Sequence, residues 1–266
     1  MIGRSGGGAA DLTLSHHFPR SSSRSRLSVG VQCQNATVTV DLWSPATSDD
    51  VEWLSVLAEV RPTLDDLGSR MPAFTWREVL HPAYWTEDDE VVREVPWAEV
   101  ARARGSNVRG AAHFDALVGL HINDFENGFD DPTGVWNAPP EQGTLPMRQH
   151  KTLLSVLRPH TDAAEGVCGV WAGWASARRL TATPAAPRCD VTGREVVFFR
   201  SPLDAFAASV DEVAYQAANV MFPLDHRWLV ITDCDHWMTY IGAGVEIIAA
   251  LEDAAAFEMR GPTPRR

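Results

Sequence analysis

Apolar residues recur at or near helical spacing in six segments of the chain. These segments are 51–60, 74–80, 96–104, 149–157, 202–209 and 244–251. Ser48 or Asp49 is a credible N-cap for the first, and Gly105 ends the third, because glycine accepts the left-handed conformation that closes many helices. The pattern therefore predicts four amphipathic helices, a short helical turn over 74–80 and a short helix over 202–209.

Other segments have the pattern of strands. Residues 37–43 alternate apolar and polar side chains, as a half-buried strand does, and 194–200 is a run of β-branched and aromatic residues. Residues 167–174 and 227–232 are predicted strands as well, with 238–242 as the hairpin partner of the second. The apolar run 114–122 fits either a helix or a strand.

Glycine and proline mark two long loops, at 127–147 and 181–193. A loop as long as the first is either functional or a boundary between subdomains. Residues 1–30 are rich in Ser, Gly and Arg, which predicts a disordered basic tail, and the globular domain is expected over 31–266. Strands outnumber long helices in the second half and no regular βαβ alternation is present. We expect an α+β fold, a single domain with a mixed or mainly antiparallel sheet flanked by helices.

Composition narrows the class of protein. The formal net charge of −12 argues against nucleic acid or an anionic membrane as the main partner, and it suits either a basic protein partner or simple solubility. The 4 cysteines include no C-x-x-C pair, which favours a reduced, cytoplasmic location. No apolar run approaches the length of a membrane span, and the amino terminus lacks the apolar core of a secretory signal.

The most informative stretch is the apolar run that ends in Asp233, Asp235 and His236. A strand that delivers carboxylates to its end can build a site, and a turn at Cys234 would let all three side chains converge. Two carboxylates and an imidazole would suit Mg²⁺, Mn²⁺ or Zn²⁺. The alternative is a plain turn, because Asp tolerates turn conformations and bonds its own backbone. No other cofactor is evident from the sequence.

Two further groups of residues are candidates for binding. His113 and His121, near the polar residues Asn123, Asp124 and Glu126, have the chemistry of metal ligands but not the spacing of a known zinc motif. Trp171 and Trp174 could form the floor of a ligand pocket, although the 10 tryptophans of this chain are more simply explained as core anchors. No nucleophile elbow and no phosphate-binding glycine loop is present.

Two blocks of the second half resemble a group of uncharacterised actinobacterial proteins. One is residues 153–161 with Cys168-Gly-Val-Trp-Ala-Gly-Trp174, and the other is residues 222–228 with 230–235 and 239–242. The chain departs from the group at Ala172, where an acidic residue is expected between the tryptophans. The group has no assigned reaction, so no functional residue carries over from it. The resemblance implies a cytosolic protein of a GC-rich bacterium, which agrees with the single lysine among 23 basic residues.

Two functional hypotheses follow. The first is a non-catalytic, cytosolic binding or accessory protein, of which a toxin-neutralising protein is one case, and it rests on the acidic charge, the tryptophans and the missing catalytic motifs. The alternative is a metal-dependent hydrolase with its site at Asp233, Asp235 and His236.

Overall fold

The computed structural model describes residues 42–88, 90–120, 131–211 and 214–262. Its α-helices are α1 (Ser48–Val51), α2 (Leu64–Arg70), α3 (Trp97–Arg104), α4 (Phe114–Val118), α5 (Met147–Leu157), α6 (Arg178–Thr181) and α7 (Val245–Asp253). Short 3₁₀ turns occupy Glu52–Leu57, Val108–Gly110, Arg158–His160 and Leu203–Ala205. None of the helices in these ranges has both the length and the apolar character needed to cross a bilayer.

The strands form one large sheet and one separate hairpin. They are β1 (Ser44–Pro45), β2 (Thr75–Leu80), β3 (Ala83–Glu87), β4 (Glu90–Val95), β5 (Glu165–Trp171), β6 (Arg188–Val191), β7 (Arg194–Pro202), β8 (Val220–Pro223), β9 (Trp228–Ile231), β10 (Met238–Ala243) and β11 (Glu258–Arg260). The large sheet has 9 strands in the order β1-β7-β5-β8-β9-β10-β2-β11, with β6 also on β7, and β3 pairs with β4 alone. Each of these pairings is antiparallel, so the predicted α+β class with a mainly antiparallel sheet is confirmed.

Helices cover both faces of the large sheet. Successive side chains of a strand point to opposite faces, so Leu229 and Ile231 of β9 join one core while Trp228 and Val230 join the other. The first core is closed by the 3₁₀ turn at 52–57 and by helices α2, α3 and α4. The second is closed by α5 and α7. Burial on both faces explains why the strands have nearly continuous apolar runs instead of a clean alternation.

The helical turn predicted over 74–80 is wrong. Thr75–Leu80 is strand β2, which pairs with β10 on one side and with β11 on the other. Two rows of backbone hydrogen bonds outweigh the weak local preference of so short a segment, and tertiary pairing is not readable from its own residues.

The helix predicted over 51–60 is also only partly present. Ser48–Val51 is α-helical, Glu52–Leu57 continues as a 3₁₀ turn, and the N-cap is Thr47 instead of Ser48 or Asp49. The side chain of Asp50 accepts a hydrogen bond from the Thr47 amide at 2.7 Å. Hydrogen bonds to the Arg200 guanidinium lower the pKa of Asp50 to about 2. This ion pair fixes the start of the helix on the sheet.

Several other predictions can be compared with the described elements. The helices predicted over 96–104, 149–157 and 244–251 correspond to α3, α5 and α7, and the strands over 167–174, 194–200, 227–232 and 238–242 to β5, β7, β9 and β10. The loop predicted over 181–193 is partly wrong, because it contains β6, which forms a hairpin with β7. Residues 202–209 hold only a 3₁₀ turn, and the ambiguous run beginning at Phe114 begins as helix α4. The tail 1–30, most of the strand 37–43 and His121, Asn123, Asp124 and Glu126 lie outside the described residues.

The segment between α4 and α5 packs against the end of the large sheet where β9 turns into β10. In its described part, 131–146, the Gly143 amide donates to the His236 carbonyl at 2.9 Å, and the Gln142 side chain donates to the Asp235 carbonyl at 2.6 Å. A Cβ on Gly143 would lie 2.7 Å from the Cys234 carbonyl oxygen, so only glycine fits this close approach. Whether 127–147 also separates two subdomains stays a prediction.

Candidate functional site

Strand β9 ends in a tight turn that carries the predicted carboxylates. Asp233 is buried, with 5% of its surface exposed, and its Oδ1 accepts the Asp235 amide at 2.9 Å, while its carbonyl accepts the His236 amide at 3.1 Å. These bonds are those of an Asp-centred turn. The turn predicted as the simpler reading is therefore present, and it does not by itself exclude a site.

Arg194, the first residue of β7, holds both carboxylates of this turn. Its Nε lies 3.6 Å from Asp233 Oδ2, and its Nη2 donates to Asp235 Oδ2. A guanidinium carries a permanent positive charge and a planar array of donors that suits carboxylates. The two negative charges are thus partly offset by one positive charge, from a residue that the sequence did not single out.

Cys234 lies between the two aspartates. One ligand atom from each of Asp233, Cys234 and Asp235 can be chosen so that all three lie within 4.8 Å of one another, a group that could hold a metal ion. Burial first, and then the neighbouring carboxylates, raise the pKa of the Cys234 thiol to about 12. At neutral pH the sulfur is therefore protonated, which makes it a poor nucleophile.

His236 does not join the two aspartates in this group. Its Nδ1 lies 3.1 Å from the Tyr240 hydroxyl, and its ring packs edge-on against the His113 ring at a centroid distance of 4.9 Å. Burial lowers the pKa of His236, and His113 acts in the same sense, whereas Asp233 opposes it. The predicted convergence of Asp233, Asp235 and His236 on one ligand is therefore not present, and His236 pairs instead with His113 from the second predicted cluster.

The two tryptophans that were predicted to bind a ligand, Trp171 and Trp174, lie beside the same turn. The Trp174 indole donates to Asn219 Oδ1 at 3.0 Å and packs edge-on against Trp171 at 5.3 Å, and the Arg194 guanidinium lies 5.6 Å from the Trp171 ring centroid. Trp171 lines, with Arg194 and Asp233, a cavity of about 10 Å³. That volume is about the space of one water molecule, so Trp171 closes this region instead of opening a ligand pocket.

A buried chain of hydrogen bonds continues inward from the turn. Thr232 and Thr239 join their hydroxyl oxygens at 2.8 Å, Thr239 reaches His81 Nε2 at 2.9 Å, and His81 Nδ1 lies 2.8 Å from the Glu141 carbonyl. Since a carbonyl only accepts, Nδ1 carries the proton and Nε2 accepts from Thr239. Burial lowers the pKa of His81 to about 4, so the ring is neutral near pH 7. Both ring nitrogens of His81 and both threonine hydroxyls therefore have a hydrogen-bond partner.

A much larger concavity lies elsewhere in the described chain. We call it the hairpin groove, a space of about 700 Å³ lined by Val91, Val92 and Glu94 of β4, by Arg148 and Gln149 of α5, and by segment 255–258. Arg148 pairs with Glu94 across it, with Nε 3.1 Å from Oε1. Glu258 Oε1 accepts the Ala98 amide at 2.9 Å and so supplies helix α3 with the N-terminal acceptor that Pro96 lacks.

A second, smaller concavity lies over the opposite end of β9. We call it the α5 cavity, a space of about 250 Å³ between α5, the 3₁₀ turn at 203–205 and Trp228. No sequence motif marks either concavity, because each is assembled from segments far apart in the chain.

The fold and the turn define an α+β protein with an antiparallel sheet covered on both faces and a pair of aspartates bound by one arginine. Comparison of the chain with protein-family models, curated proteins and solved structures gives no match. The resemblance to actinobacterial proteins therefore stays a prediction.

Proposed function

We propose that the protein is a non-catalytic binding protein that takes a basic protein partner on its hairpin groove. The observation that carries the proposal is the charge of the two segments that frame the groove, 87–99 and 252–258, in which Arg93 is the one basic residue. Their acidic residues that the structure describes are Glu87, Asp88, Glu90, Glu94, Glu99, Glu252, Asp253 and Glu258. Glu94 and Glu258 line the groove itself together with Arg93 and Arg148, so the acidic excess lies in the stretches that flank it. Such an excess attracts a basic partner and speeds its association.

The groove also offers apolar surface to a partner. The Val92 side chain is 56% exposed although it lies beside Pro82, Pro96 and Phe257 in the groove wall. An apolar centre with a charged rim is the usual anatomy of a protein interface. An exposed tryptophan patch, which the sequence suggested as an anchor, is absent, because 5 of the 10 tryptophans are buried and the others are partly buried.

A non-catalytic role is supported by the state of the polar groups at the end of β9. Asp233 and Asp235 are paired with Arg194, and Cys234 carries a raised pKa. A protonated thiol is a poor nucleophile, and both carboxylates are engaged by a guanidinium instead of being free to act on a substrate. Neutralisation of a toxin is one biological form of the proposed role, and a cytoplasmic location is supported by the free thiols Cys168, Cys189 and Cys234.

The binding proposal can be tested with a fluorescent peptide of alternating lysine and leucine, followed by anisotropy at low and at physiological salt. We expect Val92→Lys to weaken binding by about tenfold, since a like charge would stand at the centre of the groove. Val245→Lys is the matched control, because Val245 is 70% exposed outside the groove and the substitution changes the net charge equally. Equal weakening by both variants would show attraction to the acidic surface in general, and the groove would be the wrong site.

The alternative function, a metal-dependent hydrolase, is favoured by one observation, the ligand atoms of Asp233, Cys234 and Asp235 within 4.8 Å. Asp233 and Asp235 would hold the metal, which would supply an activated water. Against it, a divalent ion held by Asp233 and Asp235 would have to displace Arg194 from both carboxylates.

Thermal melting with EDTA, Mg²⁺, Mn²⁺ or Zn²⁺ decides between the two functions. A metal that binds only the folded chain raises the melting temperature. A rise that Asp235→Asn abolishes would support the hydrolase, and we expect no such rise.

A further inference from the structure

The ion pair that spans the hairpin groove joins a recessed carboxylate to an exposed guanidinium through two hydrogen bonds. Arg148 Nε lies 3.1 Å from Glu94 Oε1, and Arg148 Nη2 donates to Glu94 Oε2. The Glu94 side chain is 23% exposed, whereas the Arg148 side chain is 70% exposed. The carboxylate therefore belongs to the wall of the groove, and the guanidinium covers it from the side of the solvent.

Arg148 is the second residue of α5, where a positive charge is unfavourable for the helix. The first turn of a helix carries a partial positive charge on its unbonded amide groups, so it favours acidic side chains. The first turn of α5 contains no acidic residue, and Pro146 at the N-cap supplies no side-chain hydrogen bond. The stability of the helix therefore does not explain an arginine at this position.

Arg93, the other arginine that lines the groove, is held more firmly than Arg148. It donates to Glu99 Oε2 at 3.1 Å and to the Val135 carbonyl at 3.0 Å, so two different segments of the chain fix its guanidinium. Both bonds that the structure describes for the Arg148 guanidinium go to the single side chain of Glu94. An ion pair with so exposed a partner contributes little free energy, because water solvates the separated charges well. Arg148 can therefore be replaced at Glu94 at small cost.

The groove around this ion pair has room for a side chain from a partner. Its volume of about 700 Å³ falls within the usual range of ligand pockets, about 300–1,000 Å³. Pro82, Val92, Pro96 and Phe257 give it apolar walls beside the carboxylate of Glu94. Apolar surroundings keep water away from a charged contact and so strengthen it. A cation that a partner brings to Glu94 would therefore be bound more strongly than one on an open surface.

We propose that Glu94 selects the partner by binding one of its arginines in the place that Arg148 occupies in the free protein. The inference rests on the function proposed above, the binding of a basic protein on the hairpin groove. A guanidinium presents two parallel N–H groups to a carboxylate, as Arg148 does here, whereas the ammonium group of lysine is a point charge. The groove therefore prefers a partner that presents arginine over one that presents lysine, and Arg148 moves into solvent when that arginine binds.

Two fluorescent peptides of equal length and charge test this selection, one of alternating lysine and leucine and one of alternating arginine and leucine. Anisotropy with the full chain at physiological salt should show about tenfold tighter binding of the arginine peptide. Glu94→Gln should abolish this preference. Glu99→Gln is the matched control, because it removes the same charge from a residue that does not line the groove, and it should keep the preference. Equal binding of the two peptides, or a preference that survives Glu94→Gln, would overturn the proposal.

A second variant tests whether Arg148 competes with the partner. Arg148→Gln should strengthen binding of the arginine peptide by about three- to tenfold, since Glu94 is then free. Arg102→Gln removes an equal charge from an exposed position of α3 outside the groove and should strengthen binding much less. In a chain that already carries Glu94→Gln, the two variants should have equal effects. Equal effects in the chain that retains Glu94 would contradict the competition.

The same peptides separate a failure of this inference from a failure of the function on which it rests. If Val92→Lys and Val245→Lys weaken the lysine peptide equally, the groove is not the binding site and both proposals are wrong. If Val92→Lys alone weakens it, but the arginine peptide binds no more tightly than the lysine peptide, the groove binds a basic partner and Glu94 does not select it.

Discussion

The two ends of strand β9 differ in how their polar groups are satisfied. At the end of the strand, Asp233 and Asp235 are bound by Arg194, and Thr232, Thr239 and His81 complete a chain of hydrogen bonds. At its beginning, the Trp228 N–H is buried without an acceptor, beside two loosely held positive charges. The polar groups at one end are satisfied by each other, and the other end holds a buried donor without an acceptor.

This difference bears on which polar residues indicate function. Aspartate and histidine attract attention in a sequence because they are the usual catalytic and metal-binding residues. In a folded chain their meaning depends on their partners, since a satisfied buried group stabilises the fold whereas an unsatisfied one costs free energy until something binds it.

The largest expected effect concerns pH at the closed end. The pKa of His81 is lowered to about 4 by burial, below its unfolded value near 6.5. Protons therefore favour the unfolded chain, and the contribution of neutral His81 is complete above pH 6.5 and lost as the pH falls towards 4. We expect wild type to lose about 3 kcal/mol of unfolding free energy between pH 7 and pH 4 relative to His81→Gln, measured by urea denaturation.

The comparison of wild type with His81→Gln is needed because other groups titrate in the same pH range. Burial, and then Glu94, raise the pKa of Glu141 to about 7, so this carboxyl adds stability as the pH falls. His150, whose pKa burial lowers to about 4, acts in the same sense as His81. Both contributions cancel in the comparison, and an equal pH dependence of the two proteins would show that His81 is accessible to protons in the folded chain.

The next largest expected effect comes from removing one positive charge at each end of β9. Arg194→Met leaves Asp233 buried without its cation, and we expect about 2 kcal/mol of lost stability, less than for a fully buried pair because Arg194 is 35% exposed. Lys151→Met should change the unfolding free energy by less than about 0.5 kcal/mol, since Lys151 has no partner to lose. Both values come from urea denaturation at pH 7, and similar losses for the two variants would contradict the distinction between the ends.

Most of the fold near this strand could be predicted from the sequence. The apolar runs of β5, β7, β9 and β10 and the helix α5 are long or regular enough for local pattern to decide them. Short elements such as β2 and β11 exist because of pairing with each other and with β10, and nothing within their own residues announces it. The local sequence pattern therefore fails to predict those elements that exist because of long-range hydrogen bonds.

The candidate sites were less predictable for the same reason. Asp233 and Asp235 were readable as a strand-end pair, but Arg194 lies 41 residues before Asp235 and reaches it only through the strand order of the sheet. The missing acceptor of the Trp228 N–H could not be predicted from the sequence. It depends on which acceptors lie near one indole nitrogen, and that is settled by the packing of α5 and the turn at 203–205.

The smallest expected effect compares two buried tryptophans, one from a satisfied environment and one from the α5 cavity. Trp97 and Trp228 are 0% and 1% exposed, so replacement by phenylalanine removes a similar volume from each. Trp97→Phe also leaves the His81 carbonyl without its donor, whereas Trp228→Phe deletes a donor that has no partner. We expect Trp97→Phe to be the more destabilising by about 1–2 kcal/mol in urea denaturation. If Trp228→Phe costs as much, its N–H is bonded in solution by the protein or by ordered water, and the contrast between the two ends of β9 is smaller than the structure indicates.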